Sequence, residues 1–434
     1  MKQDSRLARW SASIGPGIVF ALTASGPGSF VSNATAGATY GYALVWALGF
    51  TLLFRYAWLD TSARYVLVTG ETLLDGYRRL SKPLVRIVLA GTIVVRHLSN
   101  MYKVVLLGSC IHLLLPLPFP WSAQFWSVFS IALAFTMIFW GGYQVIEHCC
   151  KALVAVMTAS LIVAAFLSHA DPAALWKALI LPGLPADKGA YSAALLVMAL
   201  IGTEAGSLTN LTYSYFLRAK GWSTAQDLPR QRFDLFTSIA CIFLLGTLVQ
   251  IAAAASIHPL GLRLKDANDL VKIFSQSLGV AGRLIFGAGM WASAFSGFIG
   301  GTTGYALMVT DILRNGMVSA RAPDHAADAR PAGLASKRPA PETRRDPYFR
   351  GFVAFWCFSP LYVLFTKWEP VVIILIVNSL MVVLIPVLAL ALLRLTNDRK
   401  RLGAYTNGWT TNTILAVMIV VSIWLMLRNL INWW

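Results

Sequence analysis

The sequence predicts an all-α integral membrane protein of about eleven transmembrane helices: ten in two five-helix inverted repeats, plus one extra span. Three observations carry that prediction. Of 434 residues, 57% are hydrophobic and only 13% are charged. The apolar residues gather into about eleven stretches, each near the ~20 residues that cross a bilayer. Two of those stretches are interrupted by glycine at matching places, in Gly26-Pro27-Gly28-Ser29 and in Gly202-Thr203-Glu204-Ala205-Gly206-Ser207, and each interruption closes on a Gly-Ser step.

The spans read as 13–42, 43–68, 84–115, 121–141, 151–168, 190–217, 233–257, 282–312, 351–367, 370–395 and 411–432. Trp10, Trp121, Trp368, Trp433 and Trp434 lie near span ends, where aromatic belts form. Positive charge alternates between loops. Lys2, Arg6 and Arg9 precede the first span, Arg78, Arg79, Lys82 and Arg86 follow the second, Arg218, Lys220, Arg230 and Arg232 follow the sixth, and Arg394, Arg399, Lys400 and Arg401 follow the tenth. The Pro116–Pro120 turn between spans three and four carries none. This places the N-terminus in the cytoplasm and, with an odd number of spans, the C-terminus outside, in a multi-pass protein of the cell inner membrane. The halves are 1–168 and 190–395, with 411–432 appended. Residues 317–350, rich in Pro, Ala and Arg, cannot bury a core and read as a flexible basic cytoplasmic loop able to touch anionic lipid.

Composition also narrows the function. The formal net charge is +17, but the basic residues sit in short loops between spans, which points to membrane topology and away from nucleic acid. The apolar run from Ser11 to Tyr42 is too long for a signal peptide's h-region, and no cleavage site is expected. The five cysteines show no metal-knuckle spacing, and adjacent Cys149 and Cys150 are poorly placed to bridge. No nucleophile–base pair or phosphate loop marks an enzyme, and no cofactor is expected. The partners expected are the bilayer and a transported ion or small solute.

The interruptions direct attention to a site. In lipid, NH and C=O groups freed from a helix need other partners, and breaks at corresponding points of two halves mark the midplane binding site of transporters built from inverted repeats. Glu204 stands beside the second break, where a carboxylate is costly and functional by default. It is a candidate to ligate a cation, take a proton or bind an amine; pairing with a basic residue of span three is the structural alternative. Ser25, Ser29, Thr203 and Ser207 supply hydroxyls around the breaks, with Gly26, Gly28 and Gly206 freeing the backbone. Half-helix N-termini there carry positive partial charge, which suits an anionic group.

Span three is unusually basic. Arg96 and Lys103, two turns apart, share a face, with His97 and Asn100 between them; these four are candidates for a polar pathway. Arg55, Asp60 and Arg64 are spaced for a local ion pair in span two. Glu147, His148, Cys149 and Cys150 are consecutive, so they cannot all reach one metal. Gly297, Gly300, Gly301 and Gly304 permit close helix packing, and Thr302 and Thr303 are placed to line a path. Asn378, with Ser379 beside it, sits mid-run in span ten and requires a partner.

Several of these segments, taken in order, resemble one family. Gly15-Pro16-Gly17 with the Gly26–Ser29 break and Ala36-Gly37-Ala38-Thr39-Tyr40-Gly41-Tyr42, then Val68-Thr69-Gly70, the Asn378–Pro386 stretch, and Asn397 through Gly403 are similar to the Nramp divalent-metal transporters over nearly the whole chain. The resemblance implies a leucine-transporter-type fold with substrate held between broken spans one and six. Its chemistry departs from the family. The Asp-Pro-Gly-Asn of span one reads Gly26-Pro27-Gly28-Ser29, so a carboxylate is gone. The Met-Pro-His of span six reads Gly206-Ser207-Leu208, so a thioether is gone. The acidic slots of the span-three proton route read His97 and Asn100. A bare transition metal favours charged oxygen and, for softer ions, sulfur. The expected function is therefore transport of a divalent cation, a hydrated hard ion such as Mg²⁺ or Mn²⁺ in preference to a soft one, with Glu204 as metal ligand. Transport of a small organic solute, an amino acid or organic acid, is the alternative, and a non-transporting sensor or scaffold is the third. A site wide enough for several heavy atoms, with Glu204 paired to a basic side chain, would favour the organic solute.

Overall fold

The computed structural model describes residues 26–141, 148, 152, 159, 162–163, 171–187, 191–206, 208–265, 267–319, 345–366 and 368–432. Among these, every regular element is helical. Residues 13–25 of the first expected span, most of the fifth, and residues 320–344 of the basic loop lie outside the described residues.

Helix α1 (Pro27–Tyr40) begins with proline at its first position, where the missing N–H costs nothing and the fixed φ suits a helix. Helix α2 (Val45–Thr69) buries Phe54, Trp58 and Tyr65 on several sides, as a helix apolar all round must. The short α3 (Leu73–Leu80) starts in a capping box, Asp75 N–H donating to Thr72 Oγ1 at 3.1 Å and Thr72 N–H to Asp75 Oδ2 at 3.3 Å. Then come α4 (Lys82–Leu114), α5 (Ser122–Trp140) and α6 (Pro172–Ile180). The sixth expected span is two helices, α7 (Ala193–Leu200) and α8 (Leu208–Lys220), separated by a π turn. The remainder are α9 (Leu228–Ser256), α10 (Ala267–Ser319), α11 (Pro347–Phe358, continued as 3₁₀ helix through Phe365), α12 (Pro370–Thr396), α13 (Arg399–Leu402) and α14 (Trp409–Asn432).

Seven described segments are long and apolar enough to cross a membrane: Lys82–Leu114, Ser122–Trp140, Ala193–Arg218, Ala225–Leu260, Pro347–Phe365, Pro370–Thr396 and Trp409–Asn429. Helix α10 is longer than the expected 282–312. It runs for 53 residues, because no proline intervenes between Pro259 and Pro323 to stop it. The loop expected at 317–350 is correspondingly narrower, and its ends are tied where Arg314 Nε meets Asp346 Oδ2 at 2.7 Å. His148, from the Glu147–Cys150 run, is exposed on a helix.

The packing sets the site. Helix α1 lies against α9, α4 against α5 and α10, α12 against α14, and the π turn touches α2 and α12. At one end of the bundle the basic loops converge. Glu71, after α2, receives hydrogen bonds from Tyr65 Oη at 2.8 Å, Arg79 Nη1 at 2.8 Å and Arg401 Nη1 at 3.1 Å, joining α2, α3 and α13. Arg218, closing α8, donates to Gly70 O at 2.7 Å.

Burial pushes the Glu71 carboxyl up, but hydrogen bonds from Tyr65 and Arg79 and the charges of Arg79 and Arg401 outweigh it, holding the group below the ordinary glutamate value. A depressed carboxyl stabilises the fold fully above its unfolded value, about 4.3, and that contribution is lost as pH falls through the lower folded value. The melting temperature of detergent-solubilised protein is therefore expected to fall on acidification below about pH 4.3. In Glu71→Gln this component is absent, so a wild-type minus variant difference that does not shrink with falling pH would contradict the clamp.

Candidate functional site

The interruption between α7 and α8 is built from Ile201–Ala205, wound as a π turn, followed by Gly206 at φ +54°. Single π turns inside helices are frequent at functional sites, and the left-handed φ of Gly206 is strained for any residue with a Cβ. The freed carbonyls are caught locally: Asn210 Nδ2 donates to Ala205 O at 2.6 Å and also to Gly206 O. One turn of α8 thus supplies the amide that the broken ladder needs.

Glu204, on the π turn, has no solvent exposure. Its Oε1 accepts from the Ser29 hydroxyl and, at 3.4 Å, from Asn33 Nδ2, both on α1. Its Oε2 lies 3.5 Å from Arg55 Nη1 on α2, and Arg55 too is wholly buried. The carboxylate therefore binds three elements together, and both of its oxygens are engaged. This corrects two expectations. Of the local set expected in span two, Asp60 does pair with Arg64, at 3.5 Å, and also meets Arg232 of α9 at 2.8 Å, but Arg55 stands apart from them. And the basic partner of Glu204 comes from the second span, not the third.

Beside this network lies a cavity of about 30 Å³, room for about two water-sized ions. Gly26 and Gly28 of α1, Thr203 of the π turn and Asn378 of α12 form one wall; Arg96, Ser99, Tyr102 and Lys103 of α4 form another. Thr209 of α8 and Tyr305 of α10, hydrogen-bonded to each other at 2.8 Å, and Met381 of α12 complete it. Asn378 Nδ2 donates to Ser32 Oγ at 3.1 Å and Gly28 O at 3.4 Å, fixing α12 to the start of α1.

Both cations of α4 are almost fully buried, Arg96 at 2% and Lys103 at 3% exposure. Arg96 Nη2 donates to Phe298 O at 2.9 Å and Thr302 Oγ1 at 3.0 Å, and the guanidinium lies 5.7 Å from the Tyr305 ring centre. Gly301 makes this possible: a Cβ there would fall on the guanidinium. The glycine stretch of span eight accommodates an arginine here, beyond the helix packing expected of it, and Thr302 serves Arg96 and Asn100.

Of the residues expected at the site, Gly26, Gly28, Thr203, Asn378, Arg96 and Lys103 line one cavity. Ser29 and Glu204 lie behind its wall and face each other, and Gly206 is the break itself. Ser25 and Ser207 lie outside the described residues. His97 and Asn100 do not face the cavity. His97 Nδ1 contacts Ser359 Oγ at 3.0 Å, its ring between Phe355 and Tyr362, and Asn100 Nδ2 donates to Trp356 O at 2.9 Å. Their helical positions turn them toward α11. Asn33, Asn210, Ser99, Tyr102, Thr209, Tyr305 and Met381 were not foreseen. Asn33 and Asn210 carried one signal, an amide within an apolar run close to a break. No group of three or more His, Cys, Asp or Glu placed to hold a metal occurs among the described residues.

Breaking a buried ion pair from one side leaves an uncompensated charge and costs about 3–5 kcal/mol, whereas replacing both partners by apolar residues is far milder. Arg55→Met and Glu204→Leu are each expected to lower thermal stability sharply, and the double variant to regain most of it. Additive losses in the double variant would show that the two side chains do not form a pair.

Comparison with known proteins follows the geometry. The solved structure of the Eremococcus coleocola manganese transporter in complex with an aromatic bis-isothiourea substituted compound superposes with a TM-score of 0.72 at 13% identity, over 98% of this chain and 87% of that one. MhsT in complex with L-phenylalanine superposes at 0.57, 13% identical, over 98% of each. The fold is thus that of the leucine-transporter type. In sequence, the divalent metal cation transporter MntH of Chromohalobacter salexigens is 26% identical over 297 residues, 68% of each chain. The model of the family described as natural resistance-associated macrophage protein-like matches residues 17–432, and the chain accordingly belongs to the Nramp family of membrane transporters.

Proposed function

We propose that this protein carries a divalent metal cation across the cell inner membrane by alternating access, at the cavity between α1, the α7–α8 break, α4 and α12. The observation that carries this reading is the size and lining of that cavity. At about 30 Å³ it is an order of magnitude smaller than the 300–1,000 Å³ of pockets for organic ligands. It presents neutral oxygens from the backbone around Gly26 and Gly28, from Thr203 and from the Asn378 side chain. Oxygen donors outnumber the one thioether, Met381, so hard ions such as Mg²⁺ and Mn²⁺ are preferred to soft ones. The MntH relatives are named for the same substrate class. Glu204 acts by holding α1 and the break in register through Ser29 and Asn33, and ligates the ion only if Arg55 swings away. The convergence of Glu71, Arg79, Arg218 and Arg401 at one end of the bundle supports a cytoplasmic position for those loops, and with it a cytoplasmic N-terminus and external C-terminus.

A second reading rests on one specific observation: Glu204 is neutralised by Arg55 at 3.5 Å, and the cavity carries two cations. That charge balance favours a small organic acid, although the volume does not. Proteoliposome uptake separates the readings. Mn²⁺ and Mg²⁺ are expected to accumulate, with Cd²⁺ slower. Asn378→Ala, which frees Gly28 O and Ser32, should reduce uptake by about 10- to 100-fold. Uptake of an organic acid with no movement of any divalent cation would overturn the metal reading.

A further inference from the structure

Lys103 is a buried basic group with no acid beside it. Its Nζ donates to Ser99 Oγ at 2.9 Å and lies 5.4 Å from the Tyr102 ring centre; an ammonium has three protons to place. Arg96, on the same face of α4, has no acceptor for its Nε. Neither residue forms an ion pair among the described residues, and no Asp or Glu is among the described residues that line the cavity. On the opposite wall α1 begins at Pro27 with no side chain capping it, so its positive end adjoins the same space. Hydroxyls of Ser99 and Tyr102 add donors there. Among the described residues that line the cavity, every ionisable side chain able to carry charge at neutral pH is thus basic, and the space suits one or two small ions.

We propose that this cavity is an anion site, in which Lys103 and Arg96 hold a single small anion, a halide or a carboxylate group, and that a divalent cation enters only with that anion bound. The second half of the proposal rests on the metal reading above; the first does not. The anion neutralises the α4 cations and offers a lone pair to a cation seated at the oxygens around Gly26 and Asn378. A dication would otherwise face two positive charges with Glu204 already spent on Arg55.

The full chain, purified in detergent with sodium gluconate, a six-carbon anion too large for a cavity of about 30 Å³, as the only salt and no metal, is titrated with chloride, bromide or acetate, and thermal stability and heat of binding are read. Saturable binding that raises the melting temperature is expected. A response to halides alone identifies a monatomic site, and a response to acetate alone a carboxylate site. Lys103→Met, which removes the buried charge, is expected to fold, to melt no lower than wild type in gluconate, and to bind the anion at least tenfold more weakly. Arg96→Lys, which keeps the charge, should retain part of the affinity. No saturable response to any of the three anions, or an unchanged response in Lys103→Met, overturns the site. In proteoliposomes, Mn²⁺ uptake should rise at least tenfold when gluconate is exchanged for the binding anion. Equal uptake in both salts overturns the requirement. Anion binding with no Mn²⁺ uptake in any salt leaves the anion site standing and refutes the metal reading instead.

Discussion

A carboxylate in the middle of a membrane protein must be neutralised where it stands, and the arrangement around Glu204 follows from that constraint. Desolvating a charge costs several kcal/mol even after relaxation, so the π turn that carries Glu204 is held against the two elements able to meet it. Helix α2 brings Arg55, and α1 brings Ser29 and Asn33. The break is thereby anchored to both neighbours through one side chain. Its own backbone is satisfied separately by Asn210, so the interruption is rigid although it has left the helical ladder.

Settling that charge leaves the adjoining space positive. Two unit charges 4 Å apart interact by about 4 kcal/mol at an effective dielectric constant of 20, and a dication doubles the figure. Neutral oxygens offset only part of such repulsion. Gly26, which brings no acid, and Arg96 and Lys103, which bring only basic groups, line the same cavity, and the proposed anion would supply the negative charge that this lining lacks. The guanidinium is tolerated because α10 offers carbonyls, the Thr302 hydroxyl and the space left by Gly301. Lys103 has far fewer contacts, which is why it is the sharper indicator of the cavity's preference.

Much of this architecture was legible in the sequence. Hydropathy and helix length expose seven of the spans among the described residues, and the glycines of span six mark its interruption at the π turn, because backbone leaving a helix in lipid is a costly event. The spacing of Arg96 and Lys103 puts them on a common face, and the structure places them there. The partners were not legible. Local spacing offered Asp60 both Arg55 and Arg64, and the structure forms the pair with Arg64; only the crossing of α2 over the π turn brings Arg55 to Glu204. His97 and Asn100 occupied the slots of a proton route, yet His97, one residue past Arg96, is rotated by about 100° toward α11, and Asn100, rotated by only about 40°, shares Thr302 with Arg96 and gives its amide to Trp356 O. Met381 returns a thioether to the cavity from α12, a substitution across elements that no alignment of span six would reveal.

The strengths of the contacts around the cavity rank the surfaces along which it opens. Asn378 ties α12 to α1 through Gly28 and Ser32, and Arg96 ties α4 to α10, so the cavity is a seam between two pairs of helices. The Thr209–Tyr305 hydrogen bond crosses near it from α8 to α10, and a neutral bond of that kind contributes about 1 kcal/mol net. Parting Glu204 from Arg55 would cost about 3–5 kcal/mol. On the proposed alternating-access motion the neutral bond would give way first, the break moving with α1 and α2, and α4 with its two basic side chains staying with α10. An anion held on Lys103 would remain on the α4 side as the seam widens, so that the cation, seated on the α1–α12 side, gains and loses its counter-charge with each swing of the bundle.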